Sequence, residues 1–313
     1  MTVPVAGGSV ALGIKLLPTG SCPAGAIPST INLTASNASK LLGGEISNWN
    51  DPNLAVDNPA LAGCDKPVSR WVRSDNSGTS ATIKKFLANQ SSAPTGDNRS
   101  TAACAPGTTW TATYNADTGL LWPGLAPNAA GTCTPITGGA GNPGVIQGVQ
   151  AHDGAIGYGD LSDWKDPDNG FTGILANLEP KDTSVSSFVS PQNGTAANCS
   201  FAGASLPTGG PNQAVGIGST QWAYALGSKS DTTWKGTGYP ICAITFDLVY
   251  SGLNDGSLAN PIAGLTADQR RTMYSFFSYV LTPAAQDKLS AQYFAPLPNG
   301  FLKNLRLGFQ SNF

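Results

Sequence analysis

Residues 69–87 have the sequence SRWVRSDNSGTSATIKKFL, which predicts a short strand, a tight polar turn and a helix in succession. The turn carries the small residues Ser-Gly-Thr-Ser at positions 77–80. Ile83, Phe86 and Leu87 then follow at the spacing of an amphipathic helix. A strand that turns directly into a helix is the repeating unit of α/β proteins. The stretch therefore predicts an α/β fold with small polar residues at a helix N-terminus.

The start of this predicted helix is suited to binding an anion. A helix N-terminus leaves backbone N–H groups unpaired and carries a partial positive charge. Ser77, Gly78 and Thr79 would gather hydroxyl and N–H groups there. Arg73, at the end of the preceding strand, can add a full charge and a bidentate fork. We interpret the turn as an oxyanion-binding loop, with phosphate as the expected ligand.

Ordinary helix capping is the alternative interpretation of the same turn. Asp, Asn, Ser and Thr are the residues that cap helices in proteins without any ligand. Two features favour the anion site. The run at positions 77–80 supplies more donors than one cap needs, and Arg73 is placed to point toward the same helix start.

The composition limits the classes of protein that the chain can represent. The 313 residues are long enough for one or two domains. Only 12% are charged and the net charge is −2, so no basic stripe exists and nucleic acid is not an expected partner. The 38 Gly and 23 Pro suit a loop-rich, extracellular type of protein, while a hydrophobic content of 40% excludes general disorder.

Six cysteines are widely spaced along the chain, at Cys22, Cys64, Cys104, Cys133, Cys199 and Cys242. None forms a C-x-x-C pair and the chain has one histidine, so we expect no zinc site. Disulfides between sequence neighbours, Cys22–Cys64, Cys104–Cys133 and Cys199–Cys242, are the expected pairing, and they imply an oxidising compartment. Buried free thiols in a cytosolic protein are the alternative.

The N-terminus conflicts with export, because residues 1–8 contain neither a positively charged region nor a long apolar core. Nor does the sequence contain an apolar run long enough for a membrane span. Either the protein is cytosolic or its true start lies upstream, and we favour the second explanation.

Other stretches predict further strands and helices. Residues 3–17 predict a buried strand, residues 34–42 a helix, residues 239–250 the clearest strand, and Thr266 the start of a capped helix. Residues 136–150 predict a second small-residue turn that opens a helix, and Trp49 is expected to anchor the packing of its neighbourhood. Residues 88–135 and 163–238 are long, polar and irregular.

Several of these landmarks together resemble the phosphate-binding proteins of ABC phosphate transporters. Residues 73–80, RSDNSGTS, are similar to that family's R-x-D-x-S-G-T-[ST] anion loop. Further similar motifs, in the family's order, are VAGG at 5–8, GGEISNWND at 43–51, GGAGNPGV at 138–145, GAIGY at 154–158, YPI at 239–241 and YFAPLP at 293–298. Residues 88–135 and 163–238 have no clear counterpart.

The resemblance implies a two-lobed fold of the type II periplasmic-binding-protein class, with phosphate held between the lobes. Carried over by position, Arg73, Ser77, Gly78 and Thr79 would contact phosphate, while Asp75 would orient Arg73 and Ser80 would support the loop. No cofactor and no catalysis are implied. The implied role is extracytoplasmic binding of phosphate for delivery to an ABC permease.

The chain departs from the family at its N-terminus. The family's first lobe begins with two further phosphate-binding turns and an aspartate that distinguishes protonated phosphate from sulfate, and this sequence contains no counterpart to them. The resemblance therefore assigns residues 1–13 and 239–313 to an incomplete first lobe and residues 14–238 to the second. A separate N-terminal segment or chain would complete the first lobe, and without it phosphate affinity should fall.

Two other classes of function are set against a binding protein. A hydrolase could use Ser77 as nucleophile, but His152 is the only histidine and is expected in an exposed turn. Two pairs of carboxylates, Asp160 with Asp163 and Asp166 with Asp168, fall in predicted loops, where calcium or solvent are their expected partners. A secreted interaction protein on the same scaffold could use exposed tryptophans, for which the candidates are Trp110, Trp122, Trp164 and Trp234.

Overall fold

A mixed sheet built on one long strand organises the protein, whose computed structural model describes residues 2–88, 122, 136–179, 187–199, 238–248 and 266–312. The described strands are β1 (Thr2–Lys15), β2 (Asn32–Leu33), β3 (Ser69–Arg73), β4 (Ile136–Gly139), β5 (Ala155–Asp160), β6 (Ile174–Leu175), β7 (Asn177–Leu178), β8 (Gln192–Asn193), β9 (Ala196–Ala197) and β10 (Cys242–Leu248). The described helices are α1 (Ala35–Gly43), α2 (Pro52–Asp57), α3 (Gly78–Ala88), α4 (Gly141–Ala151), α5 (Leu161–Lys165), α6 (Ala267–Val280), α7 (Pro283–Gln286) and α8 (Asn299–Asn312). The predicted α/β class is confirmed.

The strand order in the main sheet is β10-β1-β5-β3-β4, with β6 paired to β1 beside that path. The N-terminal part of β1 pairs antiparallel with β10, and its C-terminal part pairs antiparallel with β5. Strand β3 runs parallel to both β4 and β5. The carboxyl ends of these three parallel strands therefore lie at the same edge of the sheet, which is where ligands bind in α/β proteins.

Trp49 anchors the face of the sheet that packs against α1, as the sequence predicts. Its side chain is fully buried, and its indole Nε1–H donates to the carbonyl of Gly154 at 2.9 Å. Gly154 has a φ of +82°, a left-handed conformation that glycine adopts without strain. The indole thus fixes the turn that leads into β5 while it fills the core.

Helix α4 lies against the other face of the three parallel strands, because two glycines let the backbones approach closely. A Cβ at Gly157 of β5 would lie 2.7 Å from Val149 and 2.8 Å from Val145. A Cβ at Gly148 of α4 would overlap the ring of Trp71 on β3. This close packing fixes the position of the N-terminus of α4 relative to the end of β3.

Two of the expected disulfides are confirmed. Cys22 is bonded to Cys64, and Cys199 is bonded to Cys242 at the start of β10. The expected Cys104–Cys133 pair lies outside the described residues. A disulfide that closes a loop of about 40 residues removes conformational freedom mainly from the unfolded chain, at a gain of about 4 kcal/mol in the entropic account.

Two of the four tryptophans that were candidates for an interaction surface are buried. Trp122 is 3% exposed and packs on Tyr158, and Trp164 is 2% exposed and packs against Phe171. Both are core residues because an indole hides a large apolar area when a neighbour supplies a matching surface. Trp110 and Trp234 lie outside the described residues. The buried Trp122 and Trp164 therefore give no support to an aromatic interaction surface.

The predicted helices near the C-terminus have slightly different limits. The capping box of Thr266 with Gln269 is present at the start of α6, as predicted. After α6 the chain continues into α7 and a short 3-10 helix, Leu289–Gln292, and the strand expected from 239 begins at Cys242. Among the helices of the described ranges, none has the length and apolar character that a membrane crossing requires.

We expect Gly148→Ala to destabilise the protein although alanine favours helices over glycine. The added methyl would force the Trp71 ring or the helix to move, which costs about 1–3 kcal/mol in a packed core. Chemical denaturation followed by circular dichroism measures the free energy of unfolding. The exposed neighbour Gln147→Ala is the matched control and should stay within about 0.5 kcal/mol of the wild type. A G148A variant as stable as the control would contradict the packing argument.

Candidate anion site

The anion loop, residues 73–80, lies at the carboxyl edge of the three parallel strands. Strand β3 ends at Arg73, β4 ends at Gly139 and β5 ends at Asp160. Helices α3 and α4 both begin at this edge, at Gly78 and Gly141. Two helix N-termini and one arginine therefore contribute positive charge at this edge, beside the carboxylates of Asp75 and Asp160.

Arg73 is held on two sides within the loop. Its Nε and Nη2 donate to the two carboxylate oxygens of Asp75 at 2.7 and 2.5 Å, and its Nη1 donates to Asn142 Oδ1 at 2.7 Å. The hydrogen bond with Asp75 raises the pKa of Arg73. A guanidinium has five N–H groups, so one N–H on each terminal nitrogen has no acceptor in the described part of the chain. Those two N–H groups can meet an anion.

Asp75 connects the loop to the N-terminus of α4. Besides the two bonds from Arg73, its Oδ1 accepts the backbone N–H of Gly141 at 3.1 Å. The hydrogen bonds from Arg73 hold the pKa of Asp75 well below its ordinary value of 3.8, although its side chain is 43% exposed. The carboxylate therefore stays ionised and keeps the guanidinium in one orientation.

Asn142 has a role at this site that the sequence analysis did not assign. Its carbonyl oxygen accepts from Arg73, while its Nδ2 donates to Asp160 at 2.9 Å and to Asp163 at 2.6 Å. The residue stands second in α4, within the GGAGNPGV stretch whose small-residue turn is apparent in the sequence. The signal available in the sequence was an asparagine at the start of a predicted helix, in the second small-residue turn.

The start of α3 combines a helix cap with free donors. Ser77 is 2% exposed, and its hydroxyl oxygen accepts the N–H of Ser80 at 3.1 Å, as a capping residue does. The hydroxyl proton of Ser77 remains available to a further acceptor. Within the described residues, the backbone N–H groups of Gly78 and Thr79 have no acceptor. Capping and anion binding are therefore compatible here.

Ser80 faces inward and supports the loop from behind. Its hydroxyl lies 2.6 Å from the hydroxyl of Tyr158, which also accepts the backbone N–H of Arg73 at 3.1 Å. Burial raises the pKa of Tyr158 to about 12, so the phenol stays protonated. The ring of Trp122 packs on the ring of Tyr158, with centroids 5.1 Å apart. The hydroxyl of Tyr158, held in place by the packing of Trp122, thus connects the end of β3 with the start of α3.

Asp160 and Asp163 do not lie in a loop, contrary to the sequence prediction. Asp160 is the last residue of β5 and Asp163 lies on α5, and both accept from Asn142. Burial, followed by the negative charge of Asp163, raises the pKa of Asp160 from its ordinary value of 3.8 to about 6. Asp166 accepts the N–H of Asp168 at the start of a 3-10 helix. Over the described ranges, no group of three or more acidic, histidine or cysteine residues is arranged to hold a metal.

His152 lies at the end of α4, outside the anion loop. Its ring packs on the ring of Trp71 with centroids 4.7 Å apart and a tilt of 38°, and its Nδ1 is 2.8 Å from the carbonyl of Gly148. The whole length of α4, Gly141–Ala151, separates this turn from the edge where α4 begins. Within the described residues, no hydrogen bond connects His152 with Ser77.

An open groove of about 500 Å³ lies elsewhere on the protein and shares no residue with the anion loop. Its lining includes the ring of Phe171, the charged pair Lys165 and Asp166, and the amide of Gln192. Burial lowers the pKa of Lys165. With charges of both signs beside polar groups, the groove has no feature that selects an anion.

Known proteins with similar sequences are phosphate-binding proteins by name. Residues 2–198 match the PBP superfamily domain. The chain is 24% identical over 289 residues to the phosphate-binding protein PstS of Xylella fastidiosa, an alignment that covers 91% of this chain and 62% of that protein. It is 30% identical over 134 residues to the phosphate-binding protein PstS 2 of Mycobacterium tuberculosis, which covers 43% and 29%. The chain thus spans less than two thirds of the length of these relatives.

Solved structures with the same fold include three phosphate-binding or DING proteins. The high-affinity periplasmic phosphate-binding protein PfluDING, bound with phosphate, superposes with a TM-score of 0.58 at 19% identity over 98% of this chain and 70% of that chain. A DING protein gives a TM-score of 0.59 at 19% identity, over 98% and 71%. The phosphate-binding protein of Stenotrophomonas maltophilia gives 0.54 at 18%, over 98% and 69%. At this identity the likeness concerns the fold.

We expect Asp160→Asn to stabilise the protein at pH 8 and to have no effect at pH 4. The folded-state pKa of Asp160 lies above its ordinary value, so the folded protein binds the proton more tightly and loses stability as pH rises from about 4 to 6. Removing the ionised carboxylate should recover about 1–2 kcal/mol at pH 8. Denaturant melts at both pH values measure this, with the exposed Asp287→Asn as control. A D160N variant that is less stable at pH 8 would contradict the sign.

Proposed function

Because the chain belongs to the PBP superfamily, we propose that it binds inorganic phosphate at the anion loop, residues 73–80. The two-lobed, type II fold predicted from the sequence is that of the phosphate-binding proteins it superposes on. The observation that carries the proposal is the fixed guanidinium of Arg73, which presents two unused N–H groups beside the unpaired N–H groups at the start of α3.

Each residue of the loop has a distinct part in the proposed complex. Arg73 gives charge-assisted hydrogen bonds to phosphate oxygens. The hydroxyl of Ser77 and the N–H groups of Gly78 and Thr79 supply further donors on this side. The hydroxyl of Thr79, which lies 3.5 Å from Asp160, joins them when its proton points toward the phosphate. Asp75 orients Arg73 and does not meet the anion. Ser80 is a supporting residue, in line with its contact to Tyr158.

The proposed role is delivery of phosphate to an ABC permease from an extracytoplasmic compartment. The disulfides Cys22–Cys64 and Cys199–Cys242 support this location, because such bonds persist in oxidising environments. The solved relative PfluDING is described as periplasmic. The names of the relatives describe binding proteins rather than enzymes, and the distance of His152 from the loop along α4 leaves Ser77 without a histidine base.

We further propose that residues 1–13 and 239–313 form part of a first lobe that another segment or chain completes, and that residues 14–238 form the second lobe. Side chains on α6 and α8 support this, since Phe276, Tyr279 and Leu307 are about half exposed. Large exposed apolar side chains on neighbouring helices are typical of surfaces that pack against a further element.

Calorimetric titration of the purified protein with phosphate tests the proposal, with sulfate as the competing anion. We expect a saturable phosphate signal that Arg73→Ala weakens by about a hundredfold, the loss of a charged donor with two hydrogen bonds. Arg306→Ala, an exposed arginine on α8, is the matched control and should bind as the wild type does. Equal binding by R73A and R306A would overturn the assignment of the loop.

A further inference from the structure

Asp160 contacts one residue at the start of α3 and one at the start of α4. Its Oδ1 accepts the hydroxyl of Thr79 at 3.5 Å, a long hydrogen bond, and its Oδ2 accepts the amide of Asn142 at 2.9 Å. Thr79 stands second in α3 and Asn142 second in α4. The side chain of Asp160 therefore lies between the start of α3, in the anion loop, and the start of α4 beside it.

A threonine hydroxyl has one proton, so its direction depends on its neighbours. When Asp160 is ionised it can only accept, and the hydroxyl proton of Thr79 is directed at the carboxylate and away from an anion. When Asp160 carries a proton it can donate to Thr79 Oγ1, and the threonine proton is then free to point outward. A bound phosphate therefore meets the oxygen of the Thr79 hydroxyl when Asp160 is ionised and its proton when Asp160 is protonated.

We propose that Asp160 is a positioning residue that sets the direction of the Thr79 hydroxyl and makes phosphate binding tighten when Asp160 takes up a proton. The inference rests on the proposed function, since it concerns the same loop and ligand. It also assigns a purpose to a carboxylate at an edge where an anion is expected. Asp75 is ionised but paired with Arg73, whereas an ionised Asp160 would repel the ligand and a protonated Asp160 would not.

The charges around Asp160 set the pH range in which this happens. Asp163 on α5 raises its pKa and Arg73 on β3 lowers it, while burial contributes most, and together they give a pKa of about 6. Tyr158 on the same strand stays protonated, because burial raises its pKa to about 12. Asp75 is clasped by Arg73 and stays ionised. Within the described part of the chain, Asp160 is thus the carboxylate at the loop whose pKa of about 6 places its change of charge between pH 5 and 8.

The test is the ratio of phosphate affinities of Asp160→Asn and wild type from pH 5 to 8, measured by calorimetry. An asparagine can donate to Thr79 and accept from Asn142 at every pH, as protonated Asp160 does. We expect D160N to bind phosphate about fivefold more tightly at pH 8, in keeping with one reoriented hydrogen bond and one removed charge, and equally at pH 5. The titration of phosphate itself is common to both proteins and cancels in the ratio.

Two further variants separate the hydroxyl mechanism from general charge effects. Asp163→Asn removes a neighbouring charge that does not contact Thr79. The pH-dependent change in phosphate affinity should remain in this variant but occur at a lower pH, because Asp163 raises the pKa of Asp160. In a Thr79→Val background the effect of D160N should shrink to at most about twofold, because no hydroxyl remains to reorient. An undiminished effect in that background would overturn the inference.

The outcomes also distinguish this inference from the proposed function. Phosphate binding by the wild type with a ratio that stays near one at all pH values overturns the role of Asp160 alone. A wild type that binds no phosphate between pH 5 and 8 overturns the proposed function and this inference together. The unfolding measurements on D160N report the titration of Asp160 without phosphate, so a titrating carboxylate with a flat ratio also counts against the coupling.

Discussion

The guanidinium of Arg73 is the group on which the candidate site depends, because its position is determined from three elements at once. Strand β3 brings it to the edge of the sheet, Asp75 in the following turn takes two of its N–H groups, and Asn142 of α4 takes a third. A free arginine side chain would have to lose rotamer freedom to bind an anion. Here folding has already removed that freedom, so the N–H donors of Arg73 are pre-organised for an anion.

The fixed arginine in turn requires the close approach of α4 to the sheet. Asn142 reaches Arg73 because α4 packs directly on β3 and β5, and the glycines at 148 and 157 permit that distance. The same helix donates the N–H of Gly141 to Asp75. A packing feature in the core and the electrostatics of the loop are therefore parts of one arrangement.

Local patterns in the sequence predicted the parts of the structure that depend on neighbours along the chain. The strand, turn and helix of residues 69–87, the capped helix at Thr266 and two disulfides follow from spacing and residue type. Asp160 and Asp163 were misplaced because a strand end and a short helix look like polar loop in sequence. Their meeting with Asn142 depends on how β5 and α4 pack, which no local pattern specifies.

The contact between Trp122 and Tyr158 links the anion loop to a distant part of the sequence. Trp122 lies between α3 and β4 in the sequence, and its ring supports the tyrosine that holds Ser80 and Arg73. Thermodynamic linkage is reciprocal. If packing of the Trp122 indole on Tyr158 strengthens anion binding, then anion binding strengthens that packing by the same free energy. Trp122 is therefore energetically part of the site, and its replacement would change the affinity for the anion.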